Sequence, residues 1–143
     1  MNISEAGLRL IKQFEGFRSH VYIDVTGHPT IGYGHKLMQH EAFPAGIAQD
    51  AAVVLLQHDA QTAAAEVASL VKVQLTQGQI DALVDFTFNL GSGRLAGSTL
   101  LRLLSAGKHD AAGNELLRWD RADGAENAGL HARRQAELVL WKA

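Results

Sequence analysis

Apolar residues recur at helical spacing through most of this chain, beginning close to its first residue. Leu8, Ile11 and Glu15 fall at i, i+3 and i+7, which places them on one face of a helix. Ser4 precedes them as a suitable N-cap, and Gly16 follows them as a suitable C-terminal stop. The pattern predicts an amphipathic helix that ends at Glu15, whose carboxyl group continues the apolar face.

The hydrophobic period changes to two after residue 20, which is typical of a half-buried strand. Apolar and more polar residues alternate there in the order Val21, Tyr22, Ile23, Asp24, Val25 and Thr26. We expect the face of Val21 to be the buried one and Asp24 to lie on the polar face. Residues 26–29 are typical of a turn, and residues 30–34 then run back antiparallel, which directs the Thr30 hydroxyl towards Asp24.

The longest helical pattern covers about residues 49–70 and is rich in alanine, which has a high helix propensity. Its apolar face is predicted to hold Ile47, Ala51, Val54, Leu55 and His58, the last as a packing residue. A short alternation of apolar residues follows. The next helix is predicted to begin at a capping box, with Thr76 as N-cap and Gln79 three residues later, and to end at Gly91.

The C-terminal part is predicted to be helical as well. Ser98 is a natural N-cap for one helix, and another is expected over about residues 110–119. Residues 120–128 are polar and predict a loop. A last helix opens at Gly129, and Trp141 is expected to anchor it.

Two arginines in that last helix allow two interpretations. Arg133 or Arg134 is placed to meet a carboxylate across a cleft, or else an arginine and Glu137 form a surface ion pair that contributes little to stability. The sequence does not decide between them, and neither arginine is counted among the catalytic residues.

Composition narrows the class of protein. A chain of 143 residues that is 47% hydrophobic is enough for one compact domain, residues 1–143, or for two small lobes around a cleft. It contains no cysteine, which excludes disulfides and cysteine zinc sites, and its seven histidines lack metal-ligand spacing. We therefore expect no metal and no cofactor.

Charge and hydropathy exclude other partners. The formal net charge is -2, and no run of lysine or arginine indicates nucleic-acid binding. The N-terminal residues lack the charged and apolar regions of a signal peptide, and no run of 18 apolar residues occurs. We expect neither export by a visible signal nor stable association with a membrane.

Glu15 and Asp24 are the candidate catalytic pair. At a helix C-terminus the dipole disfavours negative charge, and partial burial acts in the same direction, so Glu15 suits a general acid that must carry a proton. Asp24 on a polar strand face is expected to stay ionised. The alternative is that both are ordinary surface charges, since a glutamate at a helix end and an aspartate in a hairpin are common.

The segment that holds this pair resembles the catalytic segment of a known family. Asp24 follows Glu15 by nine positions, Thr30 follows by six more, and Ile31-Gly32-Tyr33-Gly34-His35 comes next. This spacing resembles that of the phage-type lysozymes, the muramidase endolysins of glycoside hydrolase family 24. The resemblance covers nearly the whole chain and is strongest at residues 14–35, 76–104 and 129–138.

The resemblance implies a mostly helical α+β fold of lysozyme-like type. A small β-hairpin lobe, about residues 14–48, would be joined by a linking helix, about residues 49–70, to a larger helical lobe. That larger lobe would comprise about residues 71–143 together with the N-terminal helix, and the active-site cleft would lie between the lobes.

The same resemblance implies hydrolysis of the β-1,4 bond between N-acetylmuramic acid and N-acetylglucosamine in peptidoglycan, causing host cell lysis. Glu15 would be the acid, and Asp24 would orient or deprotonate water with help from Thr30, which gives inversion. The substrate-binding residues would be Lys36, Phe88, Thr99 and Asn114. A lytic transglycosylase and a non-catalytic glycan-binding relative remain alternatives. The protein is expected to be a monomer in the cytoplasm of the infected host, from which a separate pore-forming protein would release it to the wall.

Overall fold

The computed structural model describes residues 1–143 without a gap and shows a mostly helical α+β protein. The N-terminal half contains α1 (Glu5–Glu15), β1 (Arg18–Ile23), β2 (Pro29–Gly32), β3 (His35–Lys36), α2 (Gln49–Leu70) and α3 (Gln77–Leu90). The C-terminal half contains α4 (Ser92–Ala96), α5 (Thr99–Ser105), α6 (His109–Glu115), a 3-10 turn (Leu116–Arg118), β4 (Arg121–Ala122), β5 (Ala125–Glu126) and α7 (Ala128–Lys142).

The predicted helix ends are confirmed where a polar cap or a glycine marks them. The Ser4 side chain accepts a hydrogen bond from the Gly7 N–H at the start of α1. Thr76 and Gln79 form both bonds of the capping box that begins α3, and Gly91 ends that helix at a φ of 91°. Ser98 caps α5 in the same way. These caps satisfy backbone groups that a helix end leaves unpaired.

Helix α3 is the centre of the core. It packs against α1, α2 and α7, and Leu83, Val84 and Phe86 are fully buried. At the C-terminus, Trp141 is buried and its indole N–H donates to the His109 carbonyl at 3.0 Å, so the predicted anchor is confirmed. No helix combines the length and the apolarity needed to cross a membrane.

The small sheet has the order β1-β2-β3 and is antiparallel throughout. Its predicted buried face is wrong, because Val21, Ile23 and Val25 are exposed. Helix α2 covers β2, where Ile31 is fully buried, whereas no helix packs closely on the apolar side of β1. Alternation thus located the strand correctly without telling which face the core would cover.

The register predicted for α2 is also wrong. Val54 and His58 are exposed, and the buried face instead holds Ala52, Leu56, Ala60, Ala63, Ala64 and Val67. Apolar residues occur on both sides of this helix, so their spacing does not identify one face. The small alanine side chains allow neighbouring elements to approach closely.

Two C-terminal elements differ from expectation. The helix predicted to reach residue 119 ends at Glu115 and continues as the 3-10 turn. The predicted loop over residues 120–128 contains the β4–β5 hairpin, in which Asp123 and Gly124 adopt φ angles of 53° and 79°. An Asp-Gly pair is a signal for such a two-residue hairpin turn.

Candidate active site

Glu15 lies at the last position of α1, where Gly16 turns the chain away at a φ of 68°. Its side chain is 19% exposed and faces the turn between β2 and β3. A Cβ atom at Gly34 would lie 2.5 Å from Glu15 Oε1, and Gly34 itself has a φ of 72°. Only glycine both adopts this backbone conformation without strain and leaves room for the carboxyl group.

Arg133 on α7 holds the Glu15 carboxylate. Its Nη1 donates to Glu15 Oε2 at 2.7 Å, while Nε and Nη2 donate to the two oxygens of Asp85 at 2.9 and 2.8 Å. Arg133 is 5% exposed and Asp85 is fully buried. Burial alone would lower the pKa of Arg133, but the charges of Asp85 and Glu15 outweigh burial and raise it. Of the two arginines that the sequence left open, Arg133 is the one that meets the candidate acid.

Arg134 points elsewhere and pairs with Glu137 at 2.7 Å. Both side chains are fully buried, so the surface ion pair considered from the sequence is wrong in its location. Burial, and after it the neighbouring Asp85 carboxyl group, raises the pKa of Glu137 well above its usual value. Because α7 packs against α3, the charged face of α7 enters the core rather than the solvent.

Asp24 opens the turn that follows β1. Its Oδ1 accepts hydrogen bonds from the Thr26 hydroxyl at 2.7 Å and from the N–H groups of Thr26 and His28, both at 2.9 Å. The Thr26 hydroxyl, and after it the His28 N–H, lower the pKa of Asp24 to about 2. The carboxyl group is therefore ionised at neutral pH, in agreement with the expectation from the sequence.

Thr30 and Lys36 lie opposite each other on β2 and β3. The Thr30 hydroxyl donates to the His28 carbonyl at 2.9 Å and makes no hydrogen bond with Asp24, so the direct approach expected from the strand register is not seen. Lys36 places its Nζ 3.9 Å from Asp24 Oδ2 and is the exposed cation nearest to that carboxylate. Thr30 and Asp24 are thus linked through His28.

Tyr22 is a half-buried residue of β1. It lies on β1 two residues before Asp24 and pairs with Thr30, and the Arg18 guanidinium stacks on its ring at 4.2 Å. Burial raises the pKa of Tyr22, and the negative charges of Glu15 and Asp24 add to that effect. The charges of both candidate catalytic groups thus make the phenol harder to ionise.

The remaining predicted substrate-binding residues lie away from these contacts. Phe88 is half-buried and packs against the core, whereas Thr99 and Asn114 are exposed. No hydrogen bond joins any of the three to Glu15 or Asp24. Their role in binding stays a prediction.

A separate ion cluster surrounds His35 at the end of the glycine-rich segment. His35 Nδ1 lies 2.7 Å from Asp59 Oδ2 on α2, and Nε2 lies 3.0 Å from Glu41 Oε1. The hydrogen bond with Asp59, and to a smaller extent that with Glu41, raises the pKa of His35 to about 9. The imidazolium joins β3, α2 and the segment that follows β3.

Tyr22 and Asp85 are not among the predicted site residues, although each leaves a signal in the sequence. Tyr22 falls two residues before Asp24, so the two side chains share a strand face. Asp85 is a lone acid within the apolar run Leu83-Val84-Asp85-Phe86 of a core helix. A charged residue at such a position needs a buried partner of opposite charge.

The mostly helical α+β fold is that of a lysozyme-like protein. Residues 12–137 match the model of the family described as phage lysozyme, and the chain belongs to that family. It is 38% identical over 144 residues to the endolysin of Salmonella phage P22, covering 99% of this chain and 98% of that one.

Two further comparisons agree. The solved muramidase domain of SpmX from Asticaccaulis excentricus superposes with a TM-score of 0.89 at 34% identity, covering 99% of this chain and 98% of that one. The endolysin of Bacillus phage B103 is 43% identical over 144 residues, which cover 99% of this chain and 54% of the phage protein. The chain thus spans about half the length of that relative.

Proposed function

We propose that this protein is a glycoside hydrolase, a muramidase that cleaves the β-1,4 bond between N-acetylmuramic acid and N-acetylglucosamine in peptidoglycan. The observation that carries the proposal is the contrast between the surroundings of the Glu15 and Asp24 carboxyl groups. Asp24 is fixed by three hydrogen bonds and stays ionised, whereas Glu15 lies at a helix C-terminus and accepts one bond from Arg133. Two carboxyl groups in different environments suit acid and base roles in glycoside hydrolysis.

In the proposed reaction, Glu15 delivers a proton to the leaving glycosidic oxygen. Asp24 orients or deprotonates a water that attacks the anomeric carbon from the opposite face, and Thr30 helps to hold that water. The product is inverted at that carbon. An inverting enzyme needs about 6.5–9.5 Å between the carboxyl groups to fit the water, whereas a retaining enzyme needs about 5 Å.

The glycan is proposed to contact Lys36, Phe88, Thr99 and Asn114. Lys36 has the best support, since its ammonium group lies near Asp24 at an exposed position. The relatives named endolysins support a role in lysis of the host cell. The proposal further includes a monomer that stays in the host cytoplasm until a pore-forming protein releases it. The proposal requires no metal or cofactor.

The test is digestion of purified peptidoglycan by the parent protein and by Glu15→Gln, with the released sugars weighed by mass spectrometry. We expect ordinary reducing ends from the parent and none from the variant. Glu15→Gln keeps an oxygen that accepts from Arg133, so its thermal unfolding should resemble that of the parent. Most of the activity surviving in the variant would remove Glu15 from the acid role.

Two other results would redirect the proposal. A lytic transglycosylase uses an acid alone and leaves anhydro-sugar ends, which have a different mass. A non-catalytic glycan-binding relative would release nothing, although binding of insoluble peptidoglycan would persist. The anomeric configuration of a fresh product, read by NMR, decides between inversion and retention.

A further inference from the structure

Glu15 shares its arginine with a carboxylate that never reaches solvent. Three N–H groups of Arg133 are used, two by Asp85 and one by Glu15. Asp85 comes from α3 and Glu15 from α1, so the guanidinium joins the core helix to the end of the helix that carries the candidate acid. The proposed roles of Glu15 and Asp24 do not explain why Arg133 also binds a buried aspartate.

We propose that Asp85 is a positioning residue for Glu15, because it anchors Arg133 and compensates its charge so that Glu15 is held in place yet can take up a proton. The inference rests on the proposed role of Glu15 as general acid. Asp85 itself touches neither substrate nor reacting atoms and acts through Arg133.

The anchoring follows from geometry. A guanidinium is planar and its donors are fixed relative to one another, so two bonds from Nε and Nη2 to one carboxylate fix its orientation. The third bond, from Nη1 to Glu15, is then set by the position of Asp85. The Phe14 ring lies 5.7 Å from the guanidinium carbon and limits its movement on another side.

The charge compensation follows from the chemistry required of Glu15. A cation within hydrogen-bond distance favours the ionised form of a carboxyl group, which is the wrong form for an acid. Asp85 places a full negative charge on the same guanidinium at 2.8 Å in a buried site, where charges interact strongly. The pair Arg133–Asp85 therefore presents Glu15 with a hydrogen-bond donor of reduced net charge.

Few other charged groups face this arrangement. Glu15 accepts a bond from Arg133 of α7 and faces the backbone at Gly34, and its charge contributes to the raised pKa of Tyr22 on β1. Asp85 is approached by Arg133, by Arg134 at 4.0 Å and by Glu137. Arg134 and Glu137 bind each other, which leaves Asp85 as the buried carboxylate that binds Arg133 directly.

The test is a titration of the Glu15 side-chain carboxyl by NMR in the free, full-length protein. Asp85→Asn removes the compensating charge and nearly preserves shape, so the Glu15 midpoint should fall by about one pH unit. Arg133→Gln removes the cation, so the midpoint should rise. Glu137→Gln is the matched control, since it alters the same buried cluster without removing a partner of Arg133. The Glu15 midpoint measured in this variant should match that of the parent.

A Glu15 midpoint that stays unchanged or rises in folded Asp85→Asn would overturn the inference. An equal fall of the Glu15 midpoint in Glu137→Gln would overturn it as well. If Asp85→Asn does not fold, the parent protein supplies the test through its Arg133 side-chain N–H signals. These should stay resolved after Glu15 is protonated, because Asp85 still holds the guanidinium, and their collapse would also overturn the inference. Neither measurement needs substrate, so a failed muramidase assay and a failed positioning role remain distinguishable.

Discussion

We expect His35 to stabilise the folded protein mainly while its imidazole is protonated. The neutral imidazole has a single N–H donor, whereas the imidazolium has two, and both ring nitrogens face carboxylates. The folded protein therefore favours protonated His35 held between Asp59 and Glu41. Replacing it by glutamine removes the charge from a side chain that is only 8% exposed.

The size of the effect follows from the pKa of His35, which is about 9 in the folded protein against 6.5 for the ordinary value. At about 1.4 kcal/mol per pH unit, this difference corresponds to about 3 kcal/mol. Asp59 and Glu41 are 23% and 19% exposed, so solvent screens part of the interaction. We therefore expect His35→Gln to lower the free energy of unfolding by about 1–3 kcal/mol.

The direction with pH is fixed by linkage. Because the pKa of His35 is raised on folding, its contribution to the free energy of unfolding is complete below about pH 6.5 and disappears as the pH rises through about 9. The stability difference between the parent and His35→Gln should therefore be large at pH 6 and shrink towards its packing component at pH 10.

The assay is urea unfolding of both proteins at several pH values, with the difference in unfolding free energy plotted against pH. His58→Gln is a matched control, since His58 is exposed and lies 3.8 Å from the same Asp59. We expect it to change stability by no more than about 0.5 kcal/mol at any pH. A difference between parent and His35→Gln that is the same at pH 6 and pH 10 would refute the reasoning.

Two further predictions concern the candidate catalytic groups. Gly34→Ala should greatly reduce peptidoglycan hydrolysis, because the new Cβ would displace the Glu15 carboxyl. Gly107→Ala is the control, since Gly107 also has a positive φ but open space around it, and it should cost stability alone; equal losses of activity in the two variants would contradict this. Thr26→Val removes the main cause of the low pKa of Asp24, so the acidic limb of the pH-activity profile should move to higher pH while activity at neutral pH is kept; an unmoved limb would count against Asp24 as the ionised group.

Local chemistry made the helix boundaries predictable. Ser4 and the Thr76–Gln79 box satisfy free N–H groups, and Gly16 and Gly91 adopt conformations that other residues avoid. Each feature depends on residues no more than four apart in sequence. The segment from Glu15 to His35 is predictable for a similar reason, since its spacing is visible without knowledge of the fold.

Burial was less predictable, because it depends on what lies across from a residue. Val21 and Ala51 satisfy the expected periodicities and yet are exposed. Ile31 and Ala52 are buried because β2 and α2 meet, and Gly32 lies against Ala52 at that contact. Periodicity describes one helix or strand at a time, whereas the face that becomes buried depends on the two elements that pack together.

The hydrogen-bond partner of the candidate acid also depends on how distant elements pack. Nearby residues predict Glu15 at a helix end, but its partner Arg133 is 118 positions away. Arg133 and Arg134 are adjacent in α7, and consecutive residues of a helix point about 100° apart, so the rotation of α7 against α3 decides which one reaches Glu15. Asp85 binds that one by two hydrogen bonds. The state of the acid is therefore set by how the core helices pack.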